Sequence, residues 1–209
     1  MNVLTSTTSG TSRWRKSVAV ALSTALAVTV SLVGAGSAHA SNEGRAASST
    51  VASTMTIAGY DADVAQANGY KIVTLPDGTQ KSVPVTAAAK KAERDVIAPL
   101  TTVRGDCGTS SVVILDDGNA GAAVSTGFNL IRGAISYGWT VNVTGPSGGY
   151  TRNFGGVLAN TPTWAGSFRW SVPVRGTYIA AVSTASWAIL NNGTVCTSGG
   201  PIDSEYIYR

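Results

Sequence analysis

Between residues 134 and 144 the chain reads AISYGWTVNVT, and Ile135, Tyr137, Trp139, Val141 and Val143 alternate with small or polar side chains. A period of two sends successive side chains to opposite faces of an extended backbone, so this stretch predicts a half-buried antiparallel strand with Trp139 in the core. Ala122, Val124, Thr126, Phe128 and Leu130 repeat the pattern, as do Phe168, Trp170, Val172 and Val174, and again Tyr178, Ala180 and Val182. Residues 111–115 run apolar after Ser111, the mark of a more central strand, and residues 187–190 precede an Asn191-Asn192-Gly193 turn. Turn residues separate the runs at Asp116-Asp117-Gly118-Asn119, Gly145-Pro146-Ser147-Gly148-Gly149 and Arg175-Gly176. About seven short strands in about a hundred residues predict an all-β domain, an antiparallel β-sandwich over residues 101–200, with a tail at 201–209.

The pattern is different before residue 101. Residues 41 to about 53 are small and polar with isolated charges, too poor in apolar side chains to bury themselves, and predict a disordered leader. Residues 64–68 suit a short helical turn stopped by Gly69. Residues 70–75 and 79–85 flank Pro76-Asp77-Gly78 as a small hairpin, because Pro presets the turn dihedral and Gly accepts positive φ. TAAAKKAERDVIAP, ending at Pro99, favours helix by propensity, but its apolar face (Ala88, Ala92, Val96) is thin, so it reads as a solvated connector. Residues 41–100 therefore form a partly disordered N-terminal segment with a hairpin and a helical connector. A propeptide, a spacer and a second binding element are the roles open to it.

The first forty residues change the meaning of the composition. Arg13, Arg15 and Lys16 precede an apolar run from about Val18 to Val33, and Ser37-Ala38-His39-Ala40 closes it with small residues. This is the layout of a secretory signal peptide cleaved after Ala40. The apolar run is interrupted by Ser23, Thr24, Thr29, Ser31 and Gly34, which suits a cleaved signal better than a spanning helix, and no later apolar stretch would hold the chain in a membrane. Three of the 15 Lys and Arg lie in this segment, which leaves 12 against 11 Asp and Glu. A net charge near +1 gives no electrostatic case for nucleic acid or an anionic membrane. The single histidine, His39, also leaves with the signal, and the expected product is a secreted, extracellular protein without histidine.

That loss decides the most suggestive motif. Gly105-Asp106-Cys107-Gly108 resembles the nucleophile loop of trypsin-like proteases, and more closely their viral relatives with cysteine in place of serine. Such a nucleophile needs histidine as its base, so the triad cannot be assembled. Two cysteines in an oxidising compartment pair instead, and Cys107 with Cys196 is the expected disulfide. Zinc lacks ligands for the same reason. For calcium, the Asp116, Asp117 and Asn119 turn is a weak candidate, without the terminal glutamate of a helical-hand loop. Glycoside hydrolysis runs on two carboxylates without histidine, but Asp106, Asp116, Asp117, Asp203 and Glu205 show no pair on facing strands. No cofactor is implied.

Binding is the chemistry that remains. Asn160-Thr161-Pro162-Thr163-Trp164-Ala165-Gly166 reads as a loop, and a tryptophan at its tip would stack on a sugar or a partner protein, with Tyr150 assisting. Folding back over the open end of the sandwich is the alternative for Trp164. Pro173-Val174-Arg175-Gly176-Thr177-Tyr178 resembles the Pro-x-x-Gly-x-Tyr corner of many immunoglobulin-like and fibronectin-like modules, which points to an immunoglobulin-like or similar sandwich and to no activity. Ala67-Asn68-Gly69-Tyr70, Gly105 to Ser110 and Asn192-Gly193-Thr194-Val195-Cys196 together resemble small secreted, functionally uncharacterised actinobacterial proteins with a one-disulfide β domain. Those motifs are structural, so the resemblance carries over no catalytic residue. The expected role is a non-catalytic extracellular binding module with a polysaccharide, cell-wall or protein partner. A carboxylate-dependent secreted hydrolase is the alternative, and a protease inhibitor presenting residues 158–162 is a third.

Overall fold

Long alternating segments here pair over their whole length. The computed structural model describes residues 50–95 and 105–208. The signal peptide at 1–40, the start of the polar leader, and the end of the connector helix at Pro99 fall outside the described residues. In chain order the elements are β1 (Val51–Tyr60), α1 (Ala62–Ala67), β2 (Tyr70–Thr74), β3 (Gln80–Pro84), α2 (Ala87–Asp95), β4 (Gly108–Asp116), β5 (Gly121–Gly145), β6 (Gly148–Ser171), β7 (Gly176–Val182), β8 (Trp187–Leu190), β9 (Thr194–Ser198) and β10 (Ile202–Ile207).

The chain is all-β in character, but its strands do not form a clear two-sheet sandwich. One edge of β5 pairs β4 from Ala122 to Leu130; past an irregularity the same edge takes β8 at Ala134–Gly138 and β7 at Val141–Thr144. The circuit β5-β4-β1-β9-β8 returns to β5, which makes a closed five-strand barrel. The other edge of β5 carries β6, and β10 extends the sheet beyond β7. Sequence reading divided β5 at residues 131–133. The backbone instead bends there as one strand, and Gly133 permits it, because a Cβ at that position would collide with Asn160, itself at φ 55°.

Two segments read as irregular belong to the sheet. Val51–Ser53, placed in the disordered leader, begin β1, which sits between β4 and β9 and buries Met55 completely. Its small residues succeed as a strand because both edges are paired, a gain that period and propensity do not register. Residues 201–209, read as a tail, contain β10, antiparallel to β7 from Ile202↔Ala181 to Ile207↔Gly176. The Asp203 carboxylate accepts the Ile114 N–H of β4 at 2.9 Å and fills the place of a backbone carbonyl on that edge.

Local readings that rested on stereochemistry hold. Asp61 caps α1 by accepting the Val64 N–H at 3.0 Å, and Gly69 follows with φ 80°. The β2–β3 hairpin closes through Leu75 N–H to Thr79 O at 2.8 Å, with Gly78 at φ 83°. Tyr178 Oη donates to Val174 O at 2.7 Å, the tyrosine-corner bond, although the surrounding fold is a barrel. The α2 connector is anchored: buried Arg132 holds Glu93 at 2.8 Å and the Tyr70 hydroxyl at 3.0 Å.

Candidate functional site

Cys107 and Cys196 form the expected disulfide, with both side chains fully buried and Cα atoms 5.9 Å apart. The bond joins the start of β4 to β9 across β1, inside the barrel. Glycines surround Cys107 for reasons of space. A Cβ at Gly105 would strike the Met55 carbonyl, and one at Gly108, with φ 138°, would strike Asn129 O. The protease-like run is thus an entry into β4 packed tightly against β1 and β5, and its sulfur is unavailable as a nucleophile.

The acidic turn after β4 is held by its own backbone. Asp116 Oδ1 accepts Gly118 N–H and Asp117 Oδ1 accepts Asn119 N–H, each at 2.9 Å. Asp116 Oδ2 also accepts the Tyr208 N–H at 3.1 Å, so the turn fastens the chain beyond β10. These carboxylates satisfy turn and strand-end donors, a structural task for which Asp is suited. Among the described residues, no group of three or more His, Cys, Asp or Glu converges in a way that could hold a metal ion.

Trp164 was read on a loop, with Tyr150 beside Gly148-Gly149 assisting it. The structure places both in β6, paired with Phe128 and Val143 respectively. β6 bends with β5, and this brings its two arms together: Tyr150 stacks on Trp170 at 5.8 Å and meets Phe168 at 5.6 Å, while Phe154 meets Trp164 at 5.3 Å. Trp164 further touches Tyr137 at 4.6 Å, Phe128 at 5.7 Å and Trp139 at 6.0 Å. Tyr150, Phe154, Trp164, Phe168 and Trp170 therefore make one half-buried seam over the barrel core. The Arg152 guanidinium lies 5.5 Å from the Phe154 ring centroid. Residues 158–162, the proposed inhibitor loop, run through the bend of β6, where Leu158 packs against the core and Thr161 pairs Ala134.

The chain matches no protein-family model, no curated protein and no solved structure. Its chemistry is thus read from its own surface. Two aromatic residues that sequence reasoning passed over stand out there. Tyr206 and Tyr208 are 42 % and 64 % exposed, with ring centroids 4.8 Å apart. The available signal was the alternation Ile202, Ser204, Tyr206, Tyr208 against Asp203, Glu205, Ile207, which is a strand pattern in its own right.

Proposed function

We propose that the chain is an exported, non-catalytic binding module whose partner is an extracellular or cell-wall polysaccharide. The observation that carries this reading is the outward face of the sheet formed by β6, β5, β7 and β10. Exposed tyrosine and isoleucine side chains stand there beside a ladder of hydroxyls and amides. Thr140 Oγ1 donates to Asn153 Oδ1 at 2.9 Å, and Thr151 Oγ1 donates to Asn142 Oδ1 at 2.8 Å. Sugar rings present C–H faces that stack on aromatic rings and hydroxyls that exchange with such amides, and both sets of groups are fixed on a rigid scaffold. The signal-like start and the buried disulfide support an extracellular setting.

A protein partner is the second reading, favoured by one feature: the outer edge of β6 pairs no other strand among the described residues. Its unpaired backbone groups offer a template for strand addition. Incubating the secreted protein with cell-wall material and spent medium separates the readings. Retention on wall polysaccharide after protease treatment of that material supports the first, and loss of all retention after the same treatment supports the second. Glycan turnover abolished by a single change such as Asp203→Asn would replace both with a hydrolase, and stoichiometric blockade of a protease would replace them with an inhibitor.

A further inference from the structure

We infer that the hollow between α2 and the bend of β5 and β6 holds the acetamido group of an N-acetylated amino sugar. The inference rests on the binding-module reading above and adds to it a recessed contact for one sugar unit.

The hollow has a volume of about 370 Å³ and opens to solvent. Ligand pockets run from about 300 to 1,000 Å³, so it suits one small group rather than a large ligand. Arg132, Asn160 and Asn191 line it with hydrogen-bonding capacity to spare. Arg132 is 8 % exposed and spends one N–H on the Tyr70 hydroxyl and one on Glu93, which leaves other guanidinium donors free. The side-chain oxygen of Asn191 is buried and accepts no hydrogen bond among the described residues, although the backbone N–H of the same residue donates to Gly133 O at 2.9 Å. The Asn160 side chain also lies against Gly133, so the two amides meet at one residue. The β5–β6 register shifts on either side of Ala134, next in the chain, and such irregularities re-aim side chains.

These groups select a neutral amide. A secondary amide presents one N–H and one C=O, and a side-chain amide answers with the opposite pair. A half-turn about its last side-chain bond brings the Asn191 oxygen to the hollow, where a ligand N–H ends the cost of a buried acceptor without a donor. Arg132 or Asn160 then donates to the ligand carbonyl, and Ala92, Ile131 and Pro162 form an apolar wall for its methyl. Charge argues the same way. Arg132 is paired by Glu93 at 2.8 Å, and Asp95, the other charged residue lining the hollow, by Lys91 at 3.1 Å. The adjoining hollow that shares Ile131 and Arg132 adds Lys81 and Asp106, one charge of each sign. A carboxylate or phosphate therefore meets no surplus cation, and an amine no surplus anion. The sugar follows from the polysaccharide reading; the acetamido group is what the hollow itself selects.

The test is an NMR titration of the isotope-labelled full chain with the trimer of N-acetylglucosamine, with cellotriose, which lacks the acetamido groups, and with N-acetyl-alanine methylamide. The acetylated trimer should shift the side-chain amide signals of Asn160 and Asn191 and bind about ten-fold or more tightly than cellotriose. Ala92→Phe, which crowds the hollow from a partly exposed position on α2, and Asn191→Ala should each weaken that binding about ten-fold or more. Where Asn191→Ala does not fold, Ala92→Phe decides. Equal affinity for cellotriose overturns acetamido selection, and equal affinity for the alanine derivative overturns the sugar. Trimer binding that leaves both asparagine signals in place, or full affinity in folded Ala92→Phe, overturns the location and leaves the module reading standing. Failure to bind the trimer, with retention on other wall polysaccharide, overturns this inference alone; failure of both overturns the module reading with it.

Discussion

Five aromatic side chains on β6 and two tyrosines at the end of the described chain meet opposite fates. In the β6 seam each ring spends its faces on other rings: Trp164 alone has four aromatic neighbours, and Trp170 is stacked by Tyr150 and met edge-on by Tyr178 at 5.4 Å. Such pairs add about 0.5–1.5 kcal/mol each beyond the burial of area, so the seam is an energetic part of the core. Tyr206 and Tyr208 contact each other and stand in solvent. Whether an aromatic residue binds a ligand is therefore decided by which neighbours occupy its faces, and proximity of Gly and Pro in the sequence does not report that.

The largest effect that would break the comparison is loss of the disulfide, because it ties β4 to β9 inside the barrel on which both aromatic sets are built. Cys107→Ser/Cys196→Ser should lower unfolding free energy by about 4–5 kcal/mol on the chain-entropy model for a loop of this length. Denaturant unfolding followed by tryptophan fluorescence and by near-ultraviolet dichroism of tyrosine should shift together; separated transitions would mean that the outer face does not depend on the barrel. Next in size is Trp164→Ala. Removing a half-buried indole from among Phe128, Tyr137, Trp139 and Phe154 should cost about 2–4 kcal/mol, measured by the same unfolding curves. Affinity of the folded fraction for a neutral glycan should be unchanged. A stable Trp164→Ala protein with lost glycan affinity would invert the assignment of the two regions.

The legibility of these regions follows the physics of each signal. Period-two alternation around Trp139 and Phe128 was readable because one face of those segments is buried, and Trp139 is 1 % exposed. The disulfide followed from counting, and α1, the β2–β3 turn and the Tyr178 corner followed from residues whose stereochemistry acts locally. What stayed hidden was the partnering of edges. β1 looks polar because its stability comes from two neighbouring strands, and Trp164 looks like a loop residue because Pro162 and Gly166 sit in a strand that bends. Closure of the barrel depends on β5 changing partners along one edge, from β4 to β8 to β7, and no local pattern encodes a change of partner.

A smaller effect sharpens the contrast from the exposed side. Y206A/Y208A removes two exposed rings that pair with each other, so its unfolding free energy should stay within about 0.5 kcal/mol of wild type, as for surface substitutions away from buried features. A loss as large as that of Trp164→Ala would show that these tyrosines are packing residues and would remove the basis for a glycan face.

The smallest effect lies outside both aromatic sets, in the β2–β3 turn, and serves as the reference for what an exposed polar contact contributes. The Thr79 hydroxyl, and after it the Thr79 N–H, holds the Asp77 carboxyl below its usual value. A carboxyl whose pKa is depressed on folding stabilises the turn above its unfolded pKa of about 3.9, and that contribution disappears as pH falls through the lower folded value. In Asp77→Asn the turn should lose this acid transition. An NMR titration following the Thr79 amide should show a midpoint below the ordinary aspartate value in the wild type and no midpoint in the variant. A wild-type midpoint at the ordinary value would mean that the Thr79 contacts are too weakly held in water to bias the carboxylate. Solvent-facing hydrogen bonds such as Thr140–Asn153 would then count as mobile contacts, and the polar side of the glycan face would have to be oriented by the ligand itself.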